Sequence, residues 1–299
     1  MTAAEPLPRL QQTAVPIQQT GVAEPIAPLV RRVLAPNPSP FTFTGTQTYL
    51  LGRREVAVVD PGPADAAHVD ALLSAIAGQR LVAILCTHTH RDHSPAAALL
   101  RARTGAPVIG CAPLLPAGEG GFDAAFDRDY RPDRVLDDGD RLEGEGWTIE
   151  AIATPGHTSN HLCFACPQGD LLFSGDHLMG WSTSVVIPPD GRMGDYMASL
   201  ERLIGRSEAV FLPGHGDPVV RPQAALRSAL GHRRFREGQI LRVLRGCDRP
   251  QDAASLVRAM YAGLDPRLVP AATQTVLAHL IDLEERGLAA HDGTEWQAR

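Results

Sequence analysis

From Phe41 to about Pro218, short apolar runs alternate with stretches of helical period. "FTFTGTQTYLLG" and "EVAVVDPGP" have the alternation and the β-branched or aromatic content of two strands, separated by Gly52-Arg53-Arg54. "ADAAHVDALLSAIAGQ" places Val69, Leu72, Leu73 and Ile76 at helical spacing and stops at Gly78. "LVAILCTH" is a continuous apolar run, as expected of a strand covered on both faces. Ser94 is a candidate cap, and Pro95 a candidate first residue, for the helix "PAAALLRARTG". "APVIGC", "RVLDDGDRLEGEGWTIEAIATPGH", "HLCFACPQGDLLFSGD" and "EAVFLPGHGDP" read as further β segments, the last following the helix "GDYMASLERLIGR". Strands alternating with helices and hairpins predict an α/β (α+β) arrangement, mixed sheets covered by helices.

Beyond Pro218 the pattern changes. Pro222 opens the long helical stretch "PQAALRSALGHRRFREGQILRVLRGC", and "QDAASLVRAMYAG" and "AATQTVLAHLIDLEERG" follow with the same period. Two short strand-like pieces then flank Asp292-Gly293, a good hairpin turn. Three helices and a terminal hairpin predict a small winged-helix domain. At the other end, the Pro, Gln and Ala of the first segment suggest a loosely ordered arm. The expected division is an arm over 1–36, a main domain over 37–218, and a helical linker with the winged helix over 219–299.

At 299 residues, with 44% hydrophobic and 21% charged positions, the chain can bury a sizeable core. Its net charge of −6 is uneven: residues 1–218 hold 16 arginines against 25 acids, and residues 219–299 hold 12 against 9. All 28 basic residues are arginine, which excludes a lysine Schiff base or amine nucleophile. No run approaches the ~18 apolar residues needed to cross a membrane, and the start lacks a secretory pattern. Five scattered cysteines fit a reduced, cytoplasmic protein. Cys163 and Cys166 form a lone C-x-x-C in an apolar segment, and read as buried thiols rather than half of a zinc site.

The chemistry concentrates in "THTHRDH", where His88, His90, Asp92 and His93 crowd into one bend after an apolar strand. So many titratable groups at a buried strand end are costly without a compensating cation. Later apolar runs each lead to a small or Gly-Pro turn that displays another ligand type: His157 in "TPGHTSNH", Asp176 in "FSGDH" and His215 in "LPGHGDP". One tetrahedral ion needs only about three or four ligands, whereas five histidines and two carboxylates suggest two ions ~3.5–4 Å apart, sharing a carboxylate and a hydroxide. Imidazole and carboxylate suit zinc, with iron or manganese as alternatives. His68, His279 and His291 read as structural or solvated residues.

"THTHRDH" resembles the T-H-x-H-x-D-H motif of the metallo-β-lactamase superfamily, and His157, Asp176 and His215 fall in that family's later motifs. The resemblance implies an αββα sandwich with the metals at one edge. It also implies the ligand sets: His88, His90 and His157 on one ion, Asp92, His93 and His215 on the other, Asp176 between them. "NPSPFTFTGTQTYLLG" and "HRRFRE" resemble the branch containing β-lactamase-like protein 2, which also ends in a winged helix. One departure is Gln47, where that branch often has asparagine. A homodimer is a further implication of the family.

The expected function is a dinuclear-zinc hydrolase whose nucleophile is a metal-bridging hydroxide, with Asp92 also accepting a proton. His177 and Tyr196 are candidate contacts to the substrate or leaving group. The bridging Asp176 sets the chain apart from the family's true β-lactamases, and its lysine-free tail does not resemble the end of a glyoxalase II. A small ester, thioester or lactone is the first expectation for the substrate. The alternative is RNA phosphodiester cleavage, for which Arg233, Arg234, Arg236, Arg242 and Arg245 could neutralise phosphates. Against RNA, Asp282, Glu284 and Glu285 sit near the end of the helix that would enter a groove. A metal-sensing nucleic-acid-binding regulator is the third reading.

Overall fold

The computed structural model describes residues 18–114 and 121–299. Its first sheet has seven strands in the order β1 (Ala23–Ala27), β2 (Val30–Leu34), β3 (Gln47–Gly52), β4 (Glu55–Val59), β5 (Arg80–Cys86), β6 (Val108–Gly110) and β7 (Arg134–Val135). The first four strands pair antiparallel, and β4 to β7 run parallel. Parallel pairing needs long crossovers, two of which carry α1 (Ala66–Ala75) and α2 (Ala96–Thr104). The second sheet has five strands: β8 (Arg141–Gly144), β9 (Trp147–Ala153), β10 (Leu162–Cys166), β11 (Leu171–Gly175) and β12 (Val210–Pro213), with only β11 and β12 parallel.

The two sheets pack face to face, with the rings of Tyr49 and Phe173 5.4 Å apart between them. Period-two alternation sorts the second sheet's residues. Leu162, Phe164 and Cys166 join the core between the sheets, while Cys163 and Ala165 join the core under α3 (Met193–Leu203) and α4 (Pro222–Gly246). The two thiols of the C-x-x-C thus face opposite sides of β10 and cannot share an ion. Helix, sheet, sheet and helix make an αββα sandwich.

A third core lies beyond it, where Ile240 and Leu244 of α4 meet α5 (Ala253–Met260), α6 (Val269–Glu285) and the hairpin β13 (Ala289–Asp292) and β14 (Glu295–Ala298). The same α4 supplies Leu226 and Leu230 to the second core. Among the described residues no helix is long and apolar enough to cross a membrane.

Three local expectations are corrected. The arm expected over 1–36 holds β1 and β2, with Val30, Val33 and Leu34 buried in the first sheet, while residues 1–17 lie outside the described residues. The strand expected from Phe41 begins only at Gln47. Asn37 organises the residues before it as a turn, its Oδ1 accepting from Thr46 N at 2.9 Å and its carbonyl from Thr42 Oγ1 at 2.6 Å. Ser94 does not cap α2, because its buried hydroxyl donates instead to Asp127 Oδ2 at 2.7 Å.

Candidate metal centre

One edge of the sandwich gathers the loops that follow β5, β9, β11 and β12, and all seven candidate ligands arrive there. Strand pairing ties the edge together: Gln47 N donates to Gly214 O at 2.8 Å, joining the first sheet to the loop that carries His215. Gly214 is required by space, since a Cβ there would lie 2.5 Å from His93 Cε1 and 2.7 Å from Asp176 Oδ1.

The ligand atoms converge in overlapping groups. His90 Nδ1 lies 3.0 Å from His88 Nε2 and 3.0 Å from His157 Nε2. In the second group, His215 Nε2 lies 3.3 Å from His93 Nε2 and 3.1 Å from Asp92 Oδ2. Asp176 stands between them. Its Oδ1 is 3.5 Å from both His93 Nε2 and His215 Nε2, and its Oδ2 is 3.7 Å from His157 Nε2. The three sets {His88, His90, His157}, {His88, His93, Asp176} and {Asp92, His93, His215} each bring their ligand atoms within 4.8 Å of one another.

Residues behind the ligands decide which ring atom faces inward. His93 Nδ1 donates to Asp60 Oδ2 at 2.9 Å, His157 Nδ1 to Val185 O at 2.6 Å, and His215 Nδ1 to Gly45 O at 3.2 Å. Thr87 Oγ1 donates to Asp60 Oδ2 at 2.8 Å, which leaves its oxygen to accept from His88 Nδ1 at 3.0 Å. With Nδ1 spent outward, four imidazoles present Nε2 to a common space. In the neutral rings those atoms are lone pairs that repel one another, and Asp176 Oδ1 is buried with no hydrogen-bond partner. Converging lone pairs and a stranded carboxylate oxygen fit a cation.

Burial opposes charge on His88, His90, His93 and His215. It holds His88 well below its ordinary range and His90 at about 3, with neighbouring histidines reinforcing it. Burial also works against His93 and His215, but Asp176 and Asp92 outweigh it and push both up, His215 to about 10. The two carboxylates would be raised by burial alone. Instead His93 and His215 hold both below the carboxylate range. A cation at this second group therefore competes with protons.

The two expected substrate contacts are corrected to packing. His177 and Tyr196 are 0% and 1% exposed, and the Tyr196 hydroxyl is spent on the His177 carbonyl at 3.0 Å. Two further residues carry weight that the sequence reading did not assign. Asp60 accepts Thr87 N and Oγ1 at 2.8 Å each, besides His93, and so orients two ligands. His161 donates from Nδ1 to Thr154 Oγ1 at 2.9 Å and accepts Asp176 N at Nε2, 3.2 Å away. Asp60 directly follows the apolar β4, as the ligands follow their strands, and that was the available signal, whereas His161 directly precedes β10.

An αββα sandwich with a His/Asp cage at one edge defines a class of hydrolase. Residues 41–215 match the metallo-beta-lactamase superfamily and residues 253–296 the beta-lactamase associated winged helix domain. The chain belongs to the metallo-beta-lactamase superfamily and is a hydrolase of it. It is 30% identical over 279 residues to a beta-lactamase-like protein 2 homolog of Drosophila melanogaster, covering 86% of this chain and 88% of that one. An atrochrysone carboxyl ACP thioesterase of Paecilomyces divaricatus is 33% identical over 224 residues, 73% of this chain and 65% of that one. The crystal structure of a metallo-beta-lactamase family protein from Thermus thermophilus superposes with TM-score 0.73 at 25% identity, over 91% of this chain and 99% of that one.

Proposed function

We propose that this hydrolase is dinuclear and acts on a small ester, thioester or lactone. The observation that carries the dinuclear reading is Asp176, whose two oxygens face different ligand groups, Oδ2 toward His157 at 3.7 Å and Oδ1 toward His93 and His215 at 3.5 Å. His88, His90 and His157 would hold one ion, Asp92, His93 and His215 the other, and Asp176 both. Zinc suits this donor set first, iron or manganese next. Bound there, the pair would supply a water of lowered pKa and a Lewis acid for the carbonyl oxygen.

The chain's own residues do the rest. Asp92 is the most open carboxylate of the set, with 27% side-chain exposure, and can accept a proton at the mouth of the cage beside His215. Asp60 keeps His88 and His93 turned inward. Trp181, packed against the space a Gly216 side chain would need, stacks on the half-exposed Phe43 ring at 4.9 Å and gives the region of His215 an apolar flank.

Acyl chemistry is favoured over phosphodiester cleavage because half of the basic helix's arginines are committed. Arg233 is buried, Arg234 pairs with Glu201, and Arg236 lies 4.1 Å over the Tyr261 ring, which leaves Arg227, Arg242 and Arg245 exposed for a phosphate. The helix that would read a groove, α6, packs Ala278 into the core under α3, and its Glu285 pairs with Arg192 at 2.6 Å. The thioesterase name of one relative supports the same reading. Full-length protein, reconstituted with zinc, is to be assayed for metal content and on p-nitrophenyl acetate, an acyl thioester and bis-p-nitrophenyl phosphate. Two ions per chain with turnover of the acyl substrates is the expected result. Turnover of the phosphodiester alone would overturn the acyl reading, and a single ion per chain the dinuclear one.

A further inference from the structure

Arg233 poses a problem in electrostatics. It sits on α4 with 2% exposure, and among the described residues no carboxylate pairs with it. A buried guanidinium without a counter-charge is costly, so what it does contact carries information. Its Nη2 donates to the Ser184 carbonyl, and its Cζ lies 5.0 Å above the Tyr196 ring.

Those two neighbours lead to the metal cage. The Ser184 hydroxyl, itself buried, donates to the Asp176 carbonyl and also lies 3.1 Å from the His177 carbonyl. The Tyr196 hydroxyl donates to the same His177 carbonyl at 3.0 Å. The backbone at 176 and 177 is thus held by two side-chain hydroxyls, and both hydroxyl-bearing residues rest against one cationic group from α4. Asp176 is the residue whose two oxygens divide between the ligand groups, so small shifts of its backbone move both sets at once.

We propose that Arg233 is a positioning residue for Asp176, acting through Ser184 and Tyr196 to set the carboxylate that both ions share. The proposal rests on the dinuclear reading. It assigns the basic helix a task in assembling the metal centre, and it accounts for Tyr196 as part of that support. Ser184 is the direct link, because its hydroxyl reaches the Asp176 carbonyl while its own carbonyl receives the guanidinium.

The test is cobalt(II) titration of the full-length chain, read by d–d absorption and by chelator competition, with thermal midpoints measured in parallel. Arg233→Met and Ser184→Ala are compared with Leu230→Ala, a control on the same helix and in the same core that takes no part in the hydrogen bonds. Wild type is expected to bind two cobalt ions. Arg233→Met and Ser184→Ala should each alter the cobalt spectrum and weaken the cobalt affinity, Arg233→Met by about 10-fold or more. Arg233→Lys, which keeps a donor for Ser184 O, should recover part of the loss. Leu230→Ala should lower the midpoint yet keep the wild-type spectrum and affinity. Wild-type spectra and affinity in Arg233→Met, or in Ser184→Ala should Arg233→Met not fold, would overturn the proposal, as would a Leu230→Ala spectrum shifted equally at equal loss of stability. Fewer than two cobalt ions on wild type would instead reject the dinuclear reading, and this proposal with it.

Discussion

Asp60 Oδ2 lies 2.9 Å from His93 Nδ1, although 33 residues separate them in the chain. The same oxygen accepts Thr87 Oγ1, so one buried carboxylate orients His93 directly and His88 through a hydroxyl. Asp60 takes this position with a φ of +49°, a backbone conformation that asparagine also tolerates.

Asp60→Asn therefore tests the electrostatic role with little backbone cost. Its amide would place a donor against donors already aimed at it, and His93 would lose its anchor. Metal affinity is expected to fall about 10–100-fold with the fold intact, measured by chelator competition alongside circular dichroism. Wild-type affinity would show that the orientation of His93 does not depend on this carboxylate.

His90→Ala and His215→Ala remove ligands from different groups. Each should lose about one metal equivalent and most activity, read by elemental analysis and steady-state rates on the same preparation. Retention of two ions by either variant would remove that residue from the ligand set.

Gly214→Ala would add a methyl 2.5 Å from His93 Cε1. Relief requires His93 or Asp176 to move, at an overpacking cost of about 1–3 kcal/mol. Activity should fall more steeply than the melting temperature, because the displaced atoms belong to the cage. The comparison needs only rates and a thermal melt.

Acid should destabilise the protein through histidines outside the cage. Burial holds His68 at about 4 and His279 at about 3, in the second case reinforced by Arg233. Unfolded, each accepts a proton near the ordinary value of about 6.5. Below that pH the unfolded chain binds protons that the native chain refuses, so stability is full above about 6.5 and falls down to about 4 through His68 and about 3 through His279. Urea midpoints across this range should decline, and His279→Gln should show a shallower decline than wild type. Parallel curves would exclude His279 as a contributor.

The ligands were legible because polar groups at the ends of apolar runs are conspicuous in one dimension. Asp60 shared that signature in "AVVDPGP" but stood alone, without neighbours to mark it, and its partners become visible only when β4 and β5 pair in parallel. Arg233 looked like one of several surface charges on a basic helix, and only tertiary packing separates it from Arg234. The strands β1 and β2 were hidden by proline. Pro25 lies on β1, an edge strand with irregular register, where a missing N–H is tolerated.

The long α4 has a practical consequence for dissecting the molecule. Leu226 and Leu230 wall one core while Ile240 and Leu244 seed another, so one continuous rod belongs to both halves. The C-terminal portion is therefore not a detachable cassette. A cut after Pro218 would strip the outer cladding from the sandwich, whereas a cut past Gly246 would leave the tail's remaining pieces without their central post.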